Sequence, residues 1–220
     1  MEKLKQYPSL YFILDPSVCK NQHPIKIATE TLKGGVKLLQ LRDKSDDIRK
    51  KLELAKKIQT LCKSYNATFI INDHIDIALT LSTDGLHLGQ TDFPFLEAKE
   101  LLGPNKILGT SNVTLEQAIE SEKQGSDYIA IGSIYPTKTK KNIELTGPLT
   151  LKKATKIISK PIAAIGGINL TNITEVLMTG VSLICISSAI SLSDNPQQYT
   201  KEIISKINDY PNLKNYHSYS

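Results

Sequence analysis

The fold is decided by a pattern that residues 162–167, with the sequence IAAIGG, show in its shortest form. Four consecutive apolar residues are followed directly by two glycines, Gly166 and Gly167. A run that is apolar at every position, rather than at every second one, is typical of a parallel strand that is covered on both faces. Glycine after such a run indicates a turn. The stretch therefore predicts a buried parallel strand with a loop at its carboxyl end.

Similar runs recur along the whole chain, separated by longer stretches with helical spacing. After the second run, for example, Ile48, Leu52, Ala55, Ile58 and Leu61 are three or four residues apart, which indicates an amphipathic helix. The eight runs cover residues 10–14, 36–41, 68–71, 85–88, 106–108, 128–131, 162–165 and 183–186. Eight strand–helix units permit a doubly wound sheet or a closed barrel, and their even spacing favours the barrel.

We therefore predict an α/β protein, a single-domain (β/α)8 TIM barrel over residues 1–220. Its carboxyl-terminal part predicts a helix around residues 198–207, followed by a loosely ordered polar tail at residues 210–220. The three cysteines are odd in number and widely separated, which argues against a disulfide framework. Cys185 lies in an apolar run and is interpreted as a small core residue rather than a catalytic thiol.

Composition and charge exclude several classes of protein. Of the 220 residues, 40% are hydrophobic, which is too many for a disordered chain. The longest apolar runs are far shorter than the roughly 20 residues that a membrane-spanning helix needs. The net charge is +5, but the lysines alternate with apolar and acidic residues and have no aromatic residues among them to stack on bases. We expect a cytoplasmic protein that binds phosphorylated small molecules and neither nucleic acid nor membranes, and a homo-oligomer is left open.

Polar side chains follow several of the runs, at the end where the loops of a barrel converge. The end of the second run reads Gln40, Leu41, Arg42, Asp43, Lys44, in which the first, third and fifth side chains share one side of an extended segment. Arginine binds two phosphate oxygens at once and lysine adds a point charge, so the segment suits a diphosphate. A surface cluster of ion pairs with the neighbouring aspartates is an equal alternative on this segment alone.

Two carboxylates follow the next two runs. Asp73 comes after Asn72 at the end of the third run, and Asp92 stands in the loop after the fourth. Oxygen ligands brought together in this way suit Mg²⁺, which takes one or two carboxylates and completes its coordination with substrate phosphates. Each aspartate taken singly is a good helix N-cap. Together with Arg42 and Lys44, however, the pair favours a site for a metal ion and a diphosphate.

The later runs indicate a second anion site. After the fifth run, Ser111 either caps the next helix or donates a hydrogen bond to a phosphate. The basic, hydroxyl-rich residues 135–141 after the sixth run favour anion binding. Gly167 after the seventh run and Ser187 and Ser188 after the eighth predict a phosphate site of the kind that barrels often have there. A diphosphate facing a monophosphate indicates group transfer with loss of pyrophosphate.

These residues together resemble the thiamine phosphate synthase family over roughly residues 11–190. The resemblance is carried, in chain order, by QLRDK at residues 40–44, ND at 72–73, GLHLGQTD at 85–92, PTKTKK at 136–141, AIGGI at 164–168 and SAI at 188–190. It implies a (β/α)8 transferase that joins hydroxymethylpyrimidine diphosphate to a thiazole phosphate and releases thiamine monophosphate and pyrophosphate. The implied reaction is dissociative, so that diphosphate leaves first and the thiazole nitrogen attacks the resulting pyrimidine cation.

The resemblance also implies a role for each matching residue. The pyrimidine diphosphate would contact Gln40, Leu41, Arg42, Asp43, Lys44, Asn72, Ser111 and Lys140. Of these, the implied catalytic residues are Arg42, Lys44, Ser111 and Lys140. Mg²⁺ would be held by Asp73 and Asp92. The thiazole phosphate would contact Thr137, Lys138, Thr139, Gly167, Ser187 and Ser188.

The chain departs from the family pattern at two places, and two other activities stay open. His74 stands where the family often has arginine, and residues 132–135 read GSIY rather than the more usual GPIF. The first alternative is a thiazole tautomerase, a related barrel isomerase whose acid–base histidine falls where this chain has residues 112–114, NVT. The second is a protein that binds thiamine phosphates without catalysis.

Overall fold

The computed structural model of the protein describes residues 8–20, 22–137 and 145–217, with side chains through Tyr210. The described residues form eight parallel strands: β1 (Ser9–Leu14), β2 (Leu38–Leu41), β3 (Thr68–Asn72), β4 (Gly85–Leu88), β5 (Ile107–Asn112), β6 (Tyr128–Ile131), β7 (Ile162–Ile165) and β8 (Leu183–Ile186). Each strand pairs with the next, and β8 pairs with β1 to close the barrel. The predicted single-domain (β/α)8 barrel is confirmed.

Helices connect the strands and cover the outside of the barrel. They are α1 (Pro24–Lys33), α2 (Ile48–Ser64), α3 (Ile75–Leu81), α4 (Phe95–Leu102), α5 (Leu115–Lys123), α6 (Gly147–Ile157), α7 (Ile173–Leu177), α8 (Ser188–Ser191) and α9 (Pro196–His217). Sequence signals explain several of their starts. In α5, for instance, Thr114 and Gln117 form a capping box, in which each side chain accepts from the other residue's backbone N–H.

The alternation of side chains along the strands divides the core into two layers. Residues such as Phe12, Leu39 and Ile71 point outwards and pack under the helices in one continuous cluster. Residues at the alternate positions, including Tyr11 and Tyr128, fill the barrel interior in a second, smaller cluster. Each strand therefore buries both faces, which is why the strand sequences are apolar throughout.

The element bounds differ most from the predicted ones at three places. Strand β2 begins two residues later than predicted, and β5 continues to Asn112, well beyond the predicted end at residue 108. The extension was missed because Gly109, Thr110 and Ser111 are not apolar, although they continue the ladder with β6. Helix α9 begins at Pro196 and continues to His217, so the predicted helix was too short and the tail at 210–217 is helical.

The interpretation of Cys185 as a core residue is confirmed. All three cysteines are free thiols and all three are buried. Burial raises the pKa of the Cys19 thiol to about 11 and that of Cys62 to about 12. Cys185 points into the barrel interior beside Tyr11, where burial raises its pKa further. Among the described helices, none is both long enough and apolar enough to cross a membrane.

Candidate active site

The residues predicted to carry the chemistry lie at one end of the barrel. Because all eight strands run in the same direction, their carboxyl ends and the loops that follow meet at a single rim, which we call the mouth. The mouth carries Gln40, Arg42, Asp43, Lys44, Asn72, Asp73, Asp92, Ser111, Thr137, Gly167, Ser187 and Ser188, and only the backbone of Leu41. Three further predicted residues, Lys138, Thr139 and Lys140, fall outside the described residues.

Arg42 is held in place by a buried carboxylate. Its Nη1 atom donates to Oδ2 of Asp15, which directly follows β1 and is only 1% exposed. The other oxygen of Asp15 accepts from the backbone N–H and the hydroxyl of Ser17, at 2.9 and 2.6 Å. The Asp15 carboxylate is thus fixed on both sides, and it fixes the direction of the guanidinium in turn. Arg42 has several N–H donors, so donors remain for a phosphate group.

Lys44 and two aspartates form the second feature of the mouth. The Lys44 ammonium contacts Oδ2 of Asp73, and the Asp73 carboxylate lies against that of Asp92. Burial and the facing Asp92 raise the pKa of Asp73, although Lys44 acts in the opposite direction. Burial also opposes ionisation of Asp92, but hydrogen bonds from Asp73 and from the Gly89 N–H lower the pKa of Asp92 overall. The cluster therefore places two carboxylates side by side, with the pKa of Asp73 above that of Asp92.

This geometry argues against two of the alternatives that the sequence left open, the helix N-caps and the surface ion pairs. The N-cap positions of α3 and α4 are occupied by His74 and Pro94, so neither Asp73 nor Asp92 is an N-cap residue. Asp73 has a left-handed backbone conformation, with φ of 63°. Such conformations are uncommon outside glycine and concentrate at functional sites. Lys44 pairs with this aspartate rather than with its sequence neighbours, which argues against the surface ion-pair cluster.

The donor set fits a magnesium ion. Within the described residues, no group of three or more histidine, cysteine, aspartate or glutamate side chains could hold a metal. Asp73 and Asp92 nevertheless provide a facing pair of carboxylates at the mouth, next to the arginine and lysine that suit a diphosphate. Mg²⁺ is usually held by only one or two carboxylates, and substrate phosphates and waters complete its shell.

Below the mouth, a chain of hydrogen bonds crosses the barrel interior. The Gln40 amide donates to the Tyr11 hydroxyl at 2.7 Å, and the Tyr11 and Tyr128 hydroxyls are 2.8 Å apart. The Tyr128 hydroxyl lies 2.8 Å from His87 Nδ1, and His87 Nε2 lies 2.8 Å from the Ser111 hydroxyl. Burial raises the pKa of both tyrosines, so both phenols keep their protons. This series of hydrogen bonds connects Gln40 and Ser111. The sequence had assigned these two residues to one site only because of their motifs.

A glycine makes room for the side chains that form these hydrogen bonds. A Cβ atom at Gly109 would lie 2.0 Å from Cζ of Tyr128, far inside van der Waals contact. Gly109 pairs with His87 on one side and with Tyr128 on the other, so the three residues lie at the same level of the barrel. The Tyr128 ring stacks on the imidazole, with 5.5 Å between the ring centroids.

The opposite side of the mouth carries the residues that were predicted to bind a phosphate. Gly167 has φ of 65°, and a Cβ atom there would lie 2.6 Å from the Pro136 carbonyl oxygen. Glycine at this position is therefore required for the close packing of two loops, those that follow β6 and β7. At the end of β8 the hydroxyl oxygen of Ser187 is buried and has no hydrogen-bond partner among the described residues. A buried, unpaired hydroxyl is costly unless a ligand completes it, which supports a site here.

The structure corrects one of the expected contacts, that of Leu41, and shows the local surroundings of Ser111 and Asp43. The Leu41 side chain belongs to the outer core beneath the helices and not to the mouth, so it cannot contact a substrate there. The reason is the alternation of the strand, which turns Gln40 inwards and its neighbour outwards. Ser111 does not cap α5, because Thr114 does. Asp43 accepts from the Ser45 N–H at 2.9 Å in a local turn.

Asp15, Tyr11, Tyr128 and the part played by His87 are not predicted from the sequence. Asp15 directly follows β1, as Asp73 directly follows β3, and an acidic residue after an apolar run was a usable signal. The tyrosines stand inside apolar runs and look like ordinary core residues. Only the closure of the barrel brings their hydroxyls together.

One departure from the family pattern, His74, and the segment where a tautomerase has its histidine both have identifiable local contacts. His74 lies between α2 and α3, with Lys51 Nζ 2.6 Å from its Nε2 atom, so a buried lysine contacts the imidazole. The side chain of Asn112, in the segment where a tautomerase has its histidine, is buried and bonds to Thr110, Ser121 and Ala130. Thr114 is engaged as the cap of α5.

The barrel and its mouth define a (β/α)8 enzyme with a site suited to phosphorylated small molecules. Residues 10–190 match the family described as thiamine monophosphate synthase. The chain belongs to this family and is accordingly a transferase of thiamine biosynthesis.

Similar proteins cover nearly all of the chain. A thiamine-phosphate synthase from Clostridium novyi (strain NT) is 40% identical over 195 residues, which are 88% of this chain and 96% of that protein. One from Methanospirillum hungatei is 43% identical over 186 residues, 84% of this chain and 90% of that protein. The solved structure of a thiamine phosphate pyrophosphorylase from Pyrococcus furiosus has a TM-score of 0.85 at 35% identity, covering 92% of this chain and 96% of its own.

Proposed function

We propose that this chain joins hydroxymethylpyrimidine diphosphate to a thiazole phosphate and produces thiamine monophosphate and pyrophosphate. One observation carries the proposal. Four charged side chains follow adjacent strands at the same end of the barrel. They are Lys44, the facing carboxylates of Asp73 and Asp92, and Arg42, whose guanidinium is bound by Asp15. Two cations and a carboxylate pair suited to Mg²⁺ are the groups that a departing diphosphate requires.

The bond changes need no nucleophile from the protein. The bond between the methylene carbon and the diphosphate oxygen breaks, and its electron pair leaves with pyrophosphate. The aminopyrimidine ring carries the resulting positive charge until the thiazole nitrogen donates its lone pair to the methylene carbon. The protein therefore has to stabilise the leaving group and align the two rings, which are electrostatic and positioning tasks.

Each part of the mouth has a role in this reaction. Arg42 and Lys44 would bind the diphosphate oxygens, and Asp15 keeps the Arg42 guanidinium aimed. Gln40, Asn72 and Ser111 would contact the pyrimidine diphosphate from the barrel interior. Asp73 and Asp92 would hold Mg²⁺, which would neutralise charge that develops on the leaving group.

The thiazole phosphate would bind across the mouth. The buried hydroxyl of Ser187 supports this placement, because a phosphate oxygen would give it the partner it lacks among the described residues. Ser188, Gly167 and Thr137 stand at the neighbouring strand ends. Three further contacts with the thiazole phosphate or the pyrimidine diphosphate are proposed only from the PTKTKK motif at residues 136–141. They are Lys138, Thr139 and Lys140. The cytoplasmic location and a homo-oligomeric state stay predictions.

The reaction is tested with the purified full-length chain, both substrates and Mg²⁺. Pyrophosphate release and thiamine monophosphate formation are expected only when both substrates are present, and a chelator should abolish both. Absence of product with and without chelator would refute the proposal.

The same assay separates the alternatives. Conversion of the thiazole alone, without metal or diphosphate, would indicate a tautomerase. A ligand-induced rise in the melting temperature without turnover would indicate a non-catalytic binding protein.

A further inference from the structure

The backbone at Tyr135, in the segment that follows β6, is fixed by hydrogen bonds on both sides. Its N–H donates to the Gly166 carbonyl at 3.0 Å, and its own carbonyl accepts from the Ser133 hydroxyl at 2.8 Å. The N–H of Thr146, the residue before α6, donates to the Ser133 carbonyl at 2.8 Å. The two described ends of the connection between β6 and α6 therefore meet next to Tyr135, and the end of β7 lies against them.

The Tyr135 side chain reaches from this segment to α7. Its hydroxyl donates to Oε2 of Glu175 at 2.6 Å. Burial and the neighbouring carboxylate raise the pKa of Tyr135, so the phenol keeps the proton that this bond needs. Glu175 is the third residue of α7, so the bond joins the loop after β6 to the helix after β7. Serine and tyrosine in GSIY, residues 132–135, thus supply two side-chain donors, whereas proline and phenylalanine of the more usual GPIF have none.

Gly167 lies between these two elements. A Cβ atom at Gly167 would lie 2.8 Å from Cβ of Tyr135, so the glycine backbone packs directly against the base of the tyrosine side chain. The Gly167 carbonyl accepts from Nδ2 of Asn172 at 3.0 Å, and Asn172 is the N-cap of α7. Tyr135 thus contacts Gly167 with its Cβ and α7 with its hydroxyl. These contacts form a closed ring, and a shift of Gly167 would break one of them.

We infer that Tyr135 and Glu175 are a pair of positioning residues, which hold Gly167 in the place where the thiazole phosphate binds. The inference rests on the proposed function, because Gly167 is one of the proposed phosphate contacts. Gly167 has no side chain, so only its backbone can meet the phosphate, and its direction depends on what packs around it. A carboxylate would repel a phosphate, so Glu175 acts on the site through Tyr135 and not by contact.

Steady-state kinetics of the full-length chain test the pair. Tyr135→Phe keeps the ring and its packing against Gly167 and removes only the hydroxyl. The KM for the thiazole phosphate, at saturating pyrimidine diphosphate and Mg²⁺, should rise about three- to tenfold, the effect being limited because water competes for the exposed Glu175. The kcat and the KM for the pyrimidine diphosphate should change by less than about twofold. An unchanged KM for the thiazole phosphate, or equal rises in both KM values, would overturn the inference.

Variants of Glu175 separate the hydrogen bond from a general structural effect. Glu175→Ala should raise the KM for the thiazole phosphate by the same factor as Tyr135→Phe. Glu175→Gln keeps a carbonyl oxygen that accepts from the phenol, so its KM should stay within about twofold of the unmodified value. The double variant with Tyr135→Phe and Glu175→Ala should lose no more than either single variant. Additive losses, or a loss in Glu175→Gln equal to that in Glu175→Ala, would overturn the inference.

A matched control removes another phenol hydroxyl. Tyr65 is a half-buried residue at the C-cap of α2, at the end of the barrel opposite the mouth. Tyr65→Phe should leave kcat and both KM values unchanged.

Calorimetric titration with the thiazole phosphate separates the inference from the proposed function. If the unmodified protein releases no pyrophosphate, the proposed function fails, and the titration still decides the role of the pair. The Kd of Tyr135→Phe should then exceed that of the unmodified protein about three- to tenfold. An equal Kd in the two proteins, or binding by neither, would overturn the inference.

Discussion

At the scale of single residues, the mouth depends on partners that hold its charges in place. The clearest case is Asp15, which is buried, bonds to Ser17 on one side and receives Arg42 on the other. A guanidinium on a long side chain would otherwise sample many directions, and ordering it would oppose substrate binding. The carboxylate therefore acts through Arg42, before any substrate is present.

Asp15→Asn tests this arrangement. The amide keeps the size of the carboxylate but loses its charge and one acceptor, so Arg42 is no longer fixed. We expect kcat/KM for the pyrimidine diphosphate to fall by roughly 10- to 100-fold, by analogy with other groups that orient binding residues. Steady-state kinetics with varied pyrimidine diphosphate measure the loss. Unchanged kcat/KM in a variant with an unchanged melting temperature would contradict the role.

Asp92→Ala tests the carboxylate pair. If Asp92 holds Mg²⁺ on the leaving diphosphate, pyrophosphate release should fall by orders of magnitude, and added Mg²⁺ should not restore it. The matched control is Asp46→Asn, a change at an exposed aspartate in the loop before α2. Turnover of the Asp92 variant equal to that of this control would show that the carboxylate has another purpose.

At the scale of elements, side chains join neighbouring units at positions far from the mouth. Glu122 near the end of α5 accepts from the Ser159 N–H at 2.8 Å, from its hydroxyl at 2.6 Å and from the Lys160 N–H at 3.2 Å. Ser159 and Lys160 lie just before β7, so one carboxylate connects α5 to the segment that leads into β7. The hydrogen bonds from Ser159 and Lys160 lower the pKa of Glu122 below the ordinary value of 4.5.

The sign of the shift predicts a pH-dependent stability. A lowered pKa in the folded state means that Glu122 contributes stability above pH 4.5, and that this contribution is lost as the pH falls through the folded pKa. Glu122→Gln should therefore lower the melting temperature by about 1–3 °C at neutral pH, and by progressively less below pH 4.5. Thermal unfolding of Glu53→Gln, at an exposed position of α2, provides the control. Equal pH dependence for the two variants would argue against the link.

The strands also show how much of the fold and of the site the sequence predicts. The apolar runs predicted all eight strands, because a strand buried on both faces has to be apolar throughout. The runs did not predict the second half of β5, because its residues are not apolar. These residues include Gly109, which makes room for Tyr128, and Ser111, which His87 contacts. The motifs placed Arg42, Asp73 and Asp92 at one end, but the Asp15 partner and the phenol chain arise only from closure. Contacts between distant strands leave no trace in local periodicity.

At the scale of the whole molecule, the barrel closes where β8 pairs with β1, and α9 covers that part of the structure. Helix α9 packs against β1 and against α1, α7 and α8. The approach to α1 is close, because a Cβ atom at Gly34 would lie 2.7 Å from Cβ of Thr200. The terminal helix is thus part of the outer core and not an appendage.

Ile203→Ala measures how much the closed barrel depends on that helix. Ile203 is 0% exposed, so its truncation leaves a cavity between α9 and the barrel. The free energy of unfolding should fall by about 2–5 kcal/mol. Leu149→Ala on α6, where the leucine is 76% exposed, should change it by less than about 0.5 kcal/mol. Urea unfolding should give a lower midpoint for Ile203→Ala with an unchanged slope, because helix and barrel unfold together. A reduced slope, with α9 lost before the barrel, would instead mean that the strands remain closed without their terminal helix.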